Sequence, residues 1–198
     1  MIKAELVKEL RERTGSGIMD CKKALQETEG NIEKAVVYLR ERGLAAAAKK
    51  AGRATKEGII EAYIHAGGKL GVLIEVNCET DFVAKTEDYQ TLCRELAMQV
   101  AATNPTYVGR TDVPQETIDA EKSVLETQAR NDGKPEKVID KIVTGRLEKF
   151  YKDICLLEQP YIRDSEQTVQ DLVNEYISKL GENIVISRFC RFKIGEQG

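Results

Sequence analysis

Two hydrophobic rhythms succeed one another along the chain. Up to Gly43 the apolar side chains fall at helical spacing. Ile2, Leu6, Val7 and Leu10 share one face of a first helix. "TGSG" then breaks it, Asp20 is placed to cap a second helix, and Cys21, Ala24 and Leu25 form that helix's inner face. After "EGN", Asn31 caps a third helix that turns Ile32, Ala35, Val36 and Leu39 inward and ends at Gly43. From Gly58 the period becomes that of strands: "GIIEAYIHA" and "LGVLIEVNC" are rich in β-branched residues and flank "GGK", a hairpin turn. Helical spacing returns from Glu87 to Ala102, where Tyr89, Leu92, Cys93, Leu96 and Val100 face inward. It continues from Gln115 to Arg130, from Pro135 to Ile154 and from Thr168 to Leu180, and "ENIVISRFCRFKIG" closes the chain as a third long strand.

This order predicts an α+β fold: a small helical domain over residues 1–55 including its linker, and a core domain over 56–198 in which a three-stranded sheet is covered by helices. The pair of helices joined by "NDGKP" carries few apolar residues on its first member, which predicts a protruding, exposed helical hairpin. The linker "LAAAAKKAGRATKEG" carries Lys49, Lys50, Arg53 and Lys56; cations so few in number suit a solvated connection better than a phosphate site. The strands are apolar on both sides, Ile60, Ala62 and Ile64 against Ile59 and Tyr63 in the first. In the last strand, strict alternation groups Ile184, Ile186, Cys190 and Phe192 against Val185 and Phe189. A sheet with two apolar faces calls for a second protein surface, most simply another copy of itself, with Ile186, Cys190 and Phe192 as the expected homodimer contact.

Composition narrows the function. The chain has 198 residues, 41% of them apolar, enough for a substantial core. No apolar run approaches the ~18 residues of a membrane span, and "MIKAELVKEL" is unlike a targeting peptide, so a cytoplasmic protein without membrane attachment is expected. A net charge of −3 argues against direct nucleic-acid binding. Five cysteines form no C-x-x-C pair, and four or more are expected to be buried thiols. The one histidine, His65, sits near a hairpin turn with no adjacent nucleophile. "GGK" is no phosphate loop, since Tyr63 and Leu70 stand where a glycine and a Ser/Thr are needed, and "TGSG" lies between helices rather than after a strand. Neither a catalytic site, a metal nor a cofactor is indicated.

What stands out is the joint "CETDFVAK" between the second strand and the following helix. The capping pattern alone has Thr80 cap that helix, Asp81 favour its positive end and Phe82 pack inward. Together with "LVKELRERTGSGIMDCKKALQETEGNIEKAVVYLRERG", "GVLIEVNCETDFVAK", "LAMQVAATNP", "GKPEKVIDKIVTGRLEKF" and "EQPYI", the chain resembles the elongation factor Ts family over nearly its whole length.

The resemblance implies a ubiquitin-associated-like N-terminal domain, an antiparallel core sheet, and nucleotide exchange on the GTPase elongation factor Tu by binding rather than by catalysis. It implies that Thr80, Asp81, Phe82 and Val83 enter the Mg²⁺ side of the GTPase, with Phe82 exposed to do so, and that Arg11 and Met19 dock the N-terminal domain. It also implies a homodimer, because a single core sheet is present where longer relatives have two. Two other classes stay open: a ribosome- or RNA-associated module using the basic linker, which predicts salt-steep RNA binding, and an enzyme assembled from distant residues.

Overall fold

A computed structural model of the chain describes residues 2–196. In chain order the helices are α1 (Ala4–Thr14), α2 (Ile18–Glu27), α3 (Ile32–Ala48), α4 (Asp81–Ala84), α5 (Glu87–Thr103), α6 (Gln115–Asn131), α7 (Glu136–Ile154) and α8 (Val169–Leu180). The strands are β1 (Glu57–Ile64), β2 (Leu70–Cys78), β3 (Pro160–Tyr161), β4 (Asp164–Thr168) and β5 (Ile184–Lys193). β1, β2 and β5 form a three-stranded antiparallel sheet in that order, and β3 pairs with β4 in a separate hairpin. The fold is α+β. Contacts group the chain into two compact units, Met1–Ile60 with Val76–Cys93 and Asp171–Val185, and Glu61–Glu75 with Arg94–Gln170 and Ile186–Gly198.

In the first unit, α1 to α3 enclose a small core of Leu10, Cys21, Ala24, Leu25 and Ala35, with Ile2, Leu6, Val7, Ile32, Val36 and Leu39 packed around it. Asn31 caps α3 as its side chain accepts from the Lys34 amide at 3.0 Å. Two local expectations fail. Asp20 does not cap α2, which already starts at Ile18 behind Gly17; it lies in the first turn and pairs with Arg42 at 3.3 Å. Gly43 does not end α3, which runs on to Ala48. Gly43 is buried there, and a Cβ would stand 3.7 Å from that of Ser178 on α8, so the glycine permits close approach of two helices rather than a stop. Arg40 adds an ion pair to Asp171 on the same helix at 2.8 Å. On β1, Gly58 has φ 147, and a Cβ there would come within 2.2 Å of the Val76 carbonyl oxygen, so only glycine fits beside β2.

In the second unit, Val72 and Ile74 of β2 and Leu96, Ala97 and Val100 of α5 are buried. α6 and α7 pack on each other as the expected hairpin, with a core of their own made of Leu125, Ala129, Ile139 and Val143. The β3–β4 hairpin was not legible from periodicity. Buried Gln99 on α5 holds it, as its amide donates to the Pro160 carbonyl at 3.1 Å and its oxygen accepts from the Ile162 amide at 2.9 Å.

Burial along β5 departs from strict alternation. Ile184 and Ile186 are buried, but Ser187 and Arg188 are both exposed, and the phase shifts there. Arg188 pairs with Glu75 at 2.8 Å, which puts it on the face of β2 opposite Val72 and Ile74. Arg191 donates to the Ala101 carbonyl of α5 at 3.2 Å and so lies on the helix side. Ile186 is therefore separated from Cys190 and Phe192, which follow Arg188 onto the uncovered side.

Candidate functional site

The joint after β2 is built around hydrogen bonds to its backbone. Thr80 is extended (φ −130, ψ 152), and its hydroxyl oxygen accepts from the Val83 amide at 3.4 Å, which starts the single turn α4. The same hydroxyl donates to Glu182 Oε1 at 2.6 Å. Glu182 Oε2 accepts from the backbone amides of both Glu79 and Thr80, each at 3.0 Å. The Glu79 side chain reaches back to accept from the Asn183 amide at 2.7 Å and from Arg53 at 3.4 Å, while the Asn183 side chain donates to the Arg53 carbonyl at 2.9 Å. Below the joint, the buried Cys78 thiol donates to the Thr80 carbonyl at 3.1 Å, and burial raises its pKa. Thr86 receives the α4 turn, donating to the Val83 carbonyl at 2.8 Å and accepting from the Tyr89 amide at 3.3 Å.

On this frame Phe82 is 79% exposed, whereas Ala84 is the residue of α4 that turns inward. Asp81 accepts from Lys85 Nζ at 2.6 Å, and that bond holds its carboxyl below the usual aspartate range. Val83 is half-buried beside it. The capping role expected of Thr80 is present, and Phe82 packs outward rather than inward. An exposed aromatic on a turn whose backbone is fixed by its neighbours loses little conformational freedom when it enters an apolar pocket, and desolvating it there is favourable.

Glu182 and Asn183 were not candidates from sequence. "LGEN" announces the end of α8 through Gly181 (φ 80), but nothing in it signals that the next two residues fasten the β2 joint. Arg53, singled out as a linker cation, belongs to this cluster.

In the N-terminal helices, Arg11 is exposed, and Met19 and Ile18 are 73% and 55% exposed. Gly15 adopts a left-handed conformation (φ 64) and its amide closes α1 on the Arg11 carbonyl at 2.8 Å. Cys21 donates to the Ser16 carbonyl at 3.6 Å, so the turn that presents these residues is tied to the small core. Arg11 and Ile18 line a shallow groove with Ile2, Val7 and Lys22. On the sheet, Cys190 and Phe192 are exposed and Ile186 is buried. Cys21, Cys78, Cys93 and Cys155 are buried thiols, the last pushed up to about 11 by burial.

Among the described residues no cluster of three or more His, Cys, Asp or Glu could hold a metal ion, and no helix is long and apolar enough to cross a membrane. His65 has only Tyr63 as a ring neighbour among the described residues, its Nδ1 lying 2.9 Å from the tyrosine hydroxyl.

Comparison with known proteins gives one family. The family model described as elongation factor TS matches residues 8–196. Elongation factor Ts of Caldanaerobacter subterraneus subsp. tengcongensis is 66% identical over 196 residues, covering 99% of this chain and 98% of that protein. That of Moorella thermoacetica is 64% identical, covering 99% and 97%. That of Heliobacterium modesticaldum is 62% identical, covering 99% and 91%.

Proposed function

From the chain's membership of the elongation factor Ts family, a family of translation elongation factors, we propose that it is a guanine-nucleotide exchange factor that acts in the cytoplasm on elongation factor Tu. A GTPase holds its nucleotide through backbone amides around the phosphates and through Mg²⁺. An exchange factor speeds release by binding the open state more tightly than the closed one, and nucleotide then weakens its binding in turn. It performs no covalent chemistry of its own.

The observation that carries this reading is Phe82, 79% exposed on a turn fixed by hydrogen bonds. In the proposed complex Thr80, Asp81, Phe82 and Val83 enter the Mg²⁺ side of the GTPase, with Phe82 seated in an apolar pocket. Burying a phenylalanine contributes roughly 1.5–3 kcal/mol, while inverting a 1:99 population takes ~5.5 kcal/mol. Other surfaces must therefore contribute. Residues 1–55 are proposed as the docking part, a ubiquitin-associated-like bundle that contacts the GTPase through Arg11 and Met19, and residues 56–198 as the exchange and dimerisation part. The test is release of labelled GDP from elongation factor Tu. Acceleration that depends on this protein supports the reading; release at the intrinsic rate ends it.

A homodimer is part of the proposal. In the second unit Ile64 (66% exposed), Leu73 (46%) and Phe192 (70%) leave an apolar side of the strands uncovered. Ile64 folds over Gly71, where a Cβ would lie 2.9 Å from its Cδ1, which keeps it on the side of Leu73. A two-fold pairing covers both copies at once, with Cys190 and Phe192 at the contact. Ile186, buried within the chain, is not part of that contact. Light scattering should give a mass about twice 22.1 kDa, with or without reductant; a monomer in both conditions ends the dimer reading.

A further inference from the structure

The exposed end of the joint accounts for contact with a partner but not for how the contact is aimed. Three hydrogen bonds converge on one carboxylate from the two residues that precede α4. Glu182 takes the amides of Glu79 and Thr80 on one oxygen and the Thr80 hydroxyl on the other, at 3.0, 3.0 and 2.6 Å. The Asn183 amide and the Glu79 side chain close the reciprocal contact at 2.7 Å. The loop after α8 and the end of β2 thus grip each other through backbone on both sides. Hydrogen bonds to a charged acceptor are stronger than neutral ones and fix direction as well as distance.

We propose that Glu182 is a positioning residue for nucleotide exchange, holding the Glu79–Thr80 backbone so that Phe82 is presented in one orientation. This rests on the exchange role proposed for the joint. Without Glu182, two backbone amides and a hydroxyl turn to water and the direction of α4 relative to β2 is no longer set. Phe82 remains exposed and apolar, but it must be ordered on the partner rather than beforehand, which weakens the step that opens the GTPase.

The experiment measures GDP release from elongation factor Tu against the concentration of exchange factor for the parent, Glu182→Ala, Glu182→Gln, Phe82→Ala and the double variant Phe82→Ala/Glu182→Ala. Glu182→Ala should lower the maximal rate about tenfold, the factor expected when bonds to a charged acceptor are lost. A merely structural role would act differently: a smaller folded fraction raises the concentration needed for half-maximal release but leaves the maximal rate unchanged. Glu182→Gln can still accept both amides on its oxygen and donate to the Thr80 hydroxyl, so it should return to within about threefold of the parent. Because Glu182 acts through Phe82, the double variant should be no slower than Phe82→Ala. The Glu79 and Thr80 amides should exchange with solvent faster in Glu182→Ala while the Val72–Val76 amides do not.

If Glu182→Ala does not fold, Glu182→Met carries the test, since it keeps the length of the side chain and removes its hydrogen bonds to Glu79 and Thr80: a lower maximal rate supports the proposal and an unchanged one overturns it. A slowed Phe82→Ala beside a parental Glu182→Ala overturns the positioning role alone, as does a double variant in which the two losses multiply. A parental rate for Phe82→Ala removes the exchange reading of the joint and this proposal with it.

Discussion

Phe82 and Tyr89 are neighbouring aromatics on consecutive helical turns of one compact unit, and they meet opposite fates. Tyr89 is wholly buried, its hydroxyl donates to the Val76 carbonyl at 2.6 Å, and burial pushes its pKa well above the usual tyrosine range. Phe82 is 79% exposed and has no polar group to satisfy. Hydrophobicity alone does not separate them, since either ring could fill a core. The frame separates them: Thr80 and Glu182 set the course of α4 so that Ala84 takes the inward position, and Tyr89 then ties the start of α5 to β2. The buried ring holds the platform and the exposed ring is what the platform presents.

The largest expected effect comes from breaking the platform. Tyr89→Ala removes a fully buried ring and its hydroxyl bond, and by the usual cost of large-to-small core changes it should lower stability by about 3–5 kcal/mol. Urea denaturation measures the loss, and exchange per folded molecule should stay near the parental value. A stable variant would mean that the joint is held without this ring.

Phe82→Ala should do the reverse. Losing ~1.4 kcal/mol of differential binding slows catalysed GDP release about tenfold, while the denaturation midpoint hardly moves because the ring buries little in the free chain. The pair of variants sharpens the comparison: stability and exchange should fall in different molecules. A Phe82→Ala protein that is strongly destabilised yet exchanges normally would make the two aromatics alike.

Much of this frame is legible in the chain, for uneven reasons. The inward faces of α1 to α3 and of α5 follow from spacing because helical periodicity acts locally; Tyr89, Leu92, Cys93, Leu96 and Val100 are each wholly buried. Gly43 misleads because a glycine near a helix end looks the same whether it caps or admits Ser178 of another helix. β5 misleads because alternation assumes an unbroken strand, and the shift at Ser187–Arg188 depends on partners along the whole sheet. Phe82 is ambiguous in the residues by themselves, where capping chemistry points it inward, and it turns outward only in the light of the family resemblance. Glu182 is invisible for the plainest reason: its hydrogen-bond partner Thr80 is 102 positions away, and a carboxylate in a loop gives no local sign of what it grips.

The smallest expected effect concerns the charged pair flanking Phe82, and it tests whether the joint is held by its backbone or by its surface. Lys85 Nζ donates to Asp81 at 2.6 Å, with the lysine and aspartate side chains 74% and 50% exposed. That bond lowers the Asp81 pKa and raises that of Lys85. The lowered carboxyl contributes stability that is fully present above its unfolded value, about 3.9, and is lost as pH falls through the lower folded value. The raised amine contributes stability that is fully present below about 10.4 and is lost as pH rises through the higher folded value. Between roughly pH 5 and 9 neither group titrates, so the pair should add no slope to stability there. Exposed pairs are also weak and screened by salt. The urea midpoints of the parent and of Lys85→Met should therefore differ little and run parallel from about pH 6 to 8, converging only in strong acid and in strong alkali. A gap that opens or closes between about pH 6 and 8 would show that a group other than this pair titrates at the joint, and would move the anchoring of Phe82 from the Glu182 contacts to surface charge.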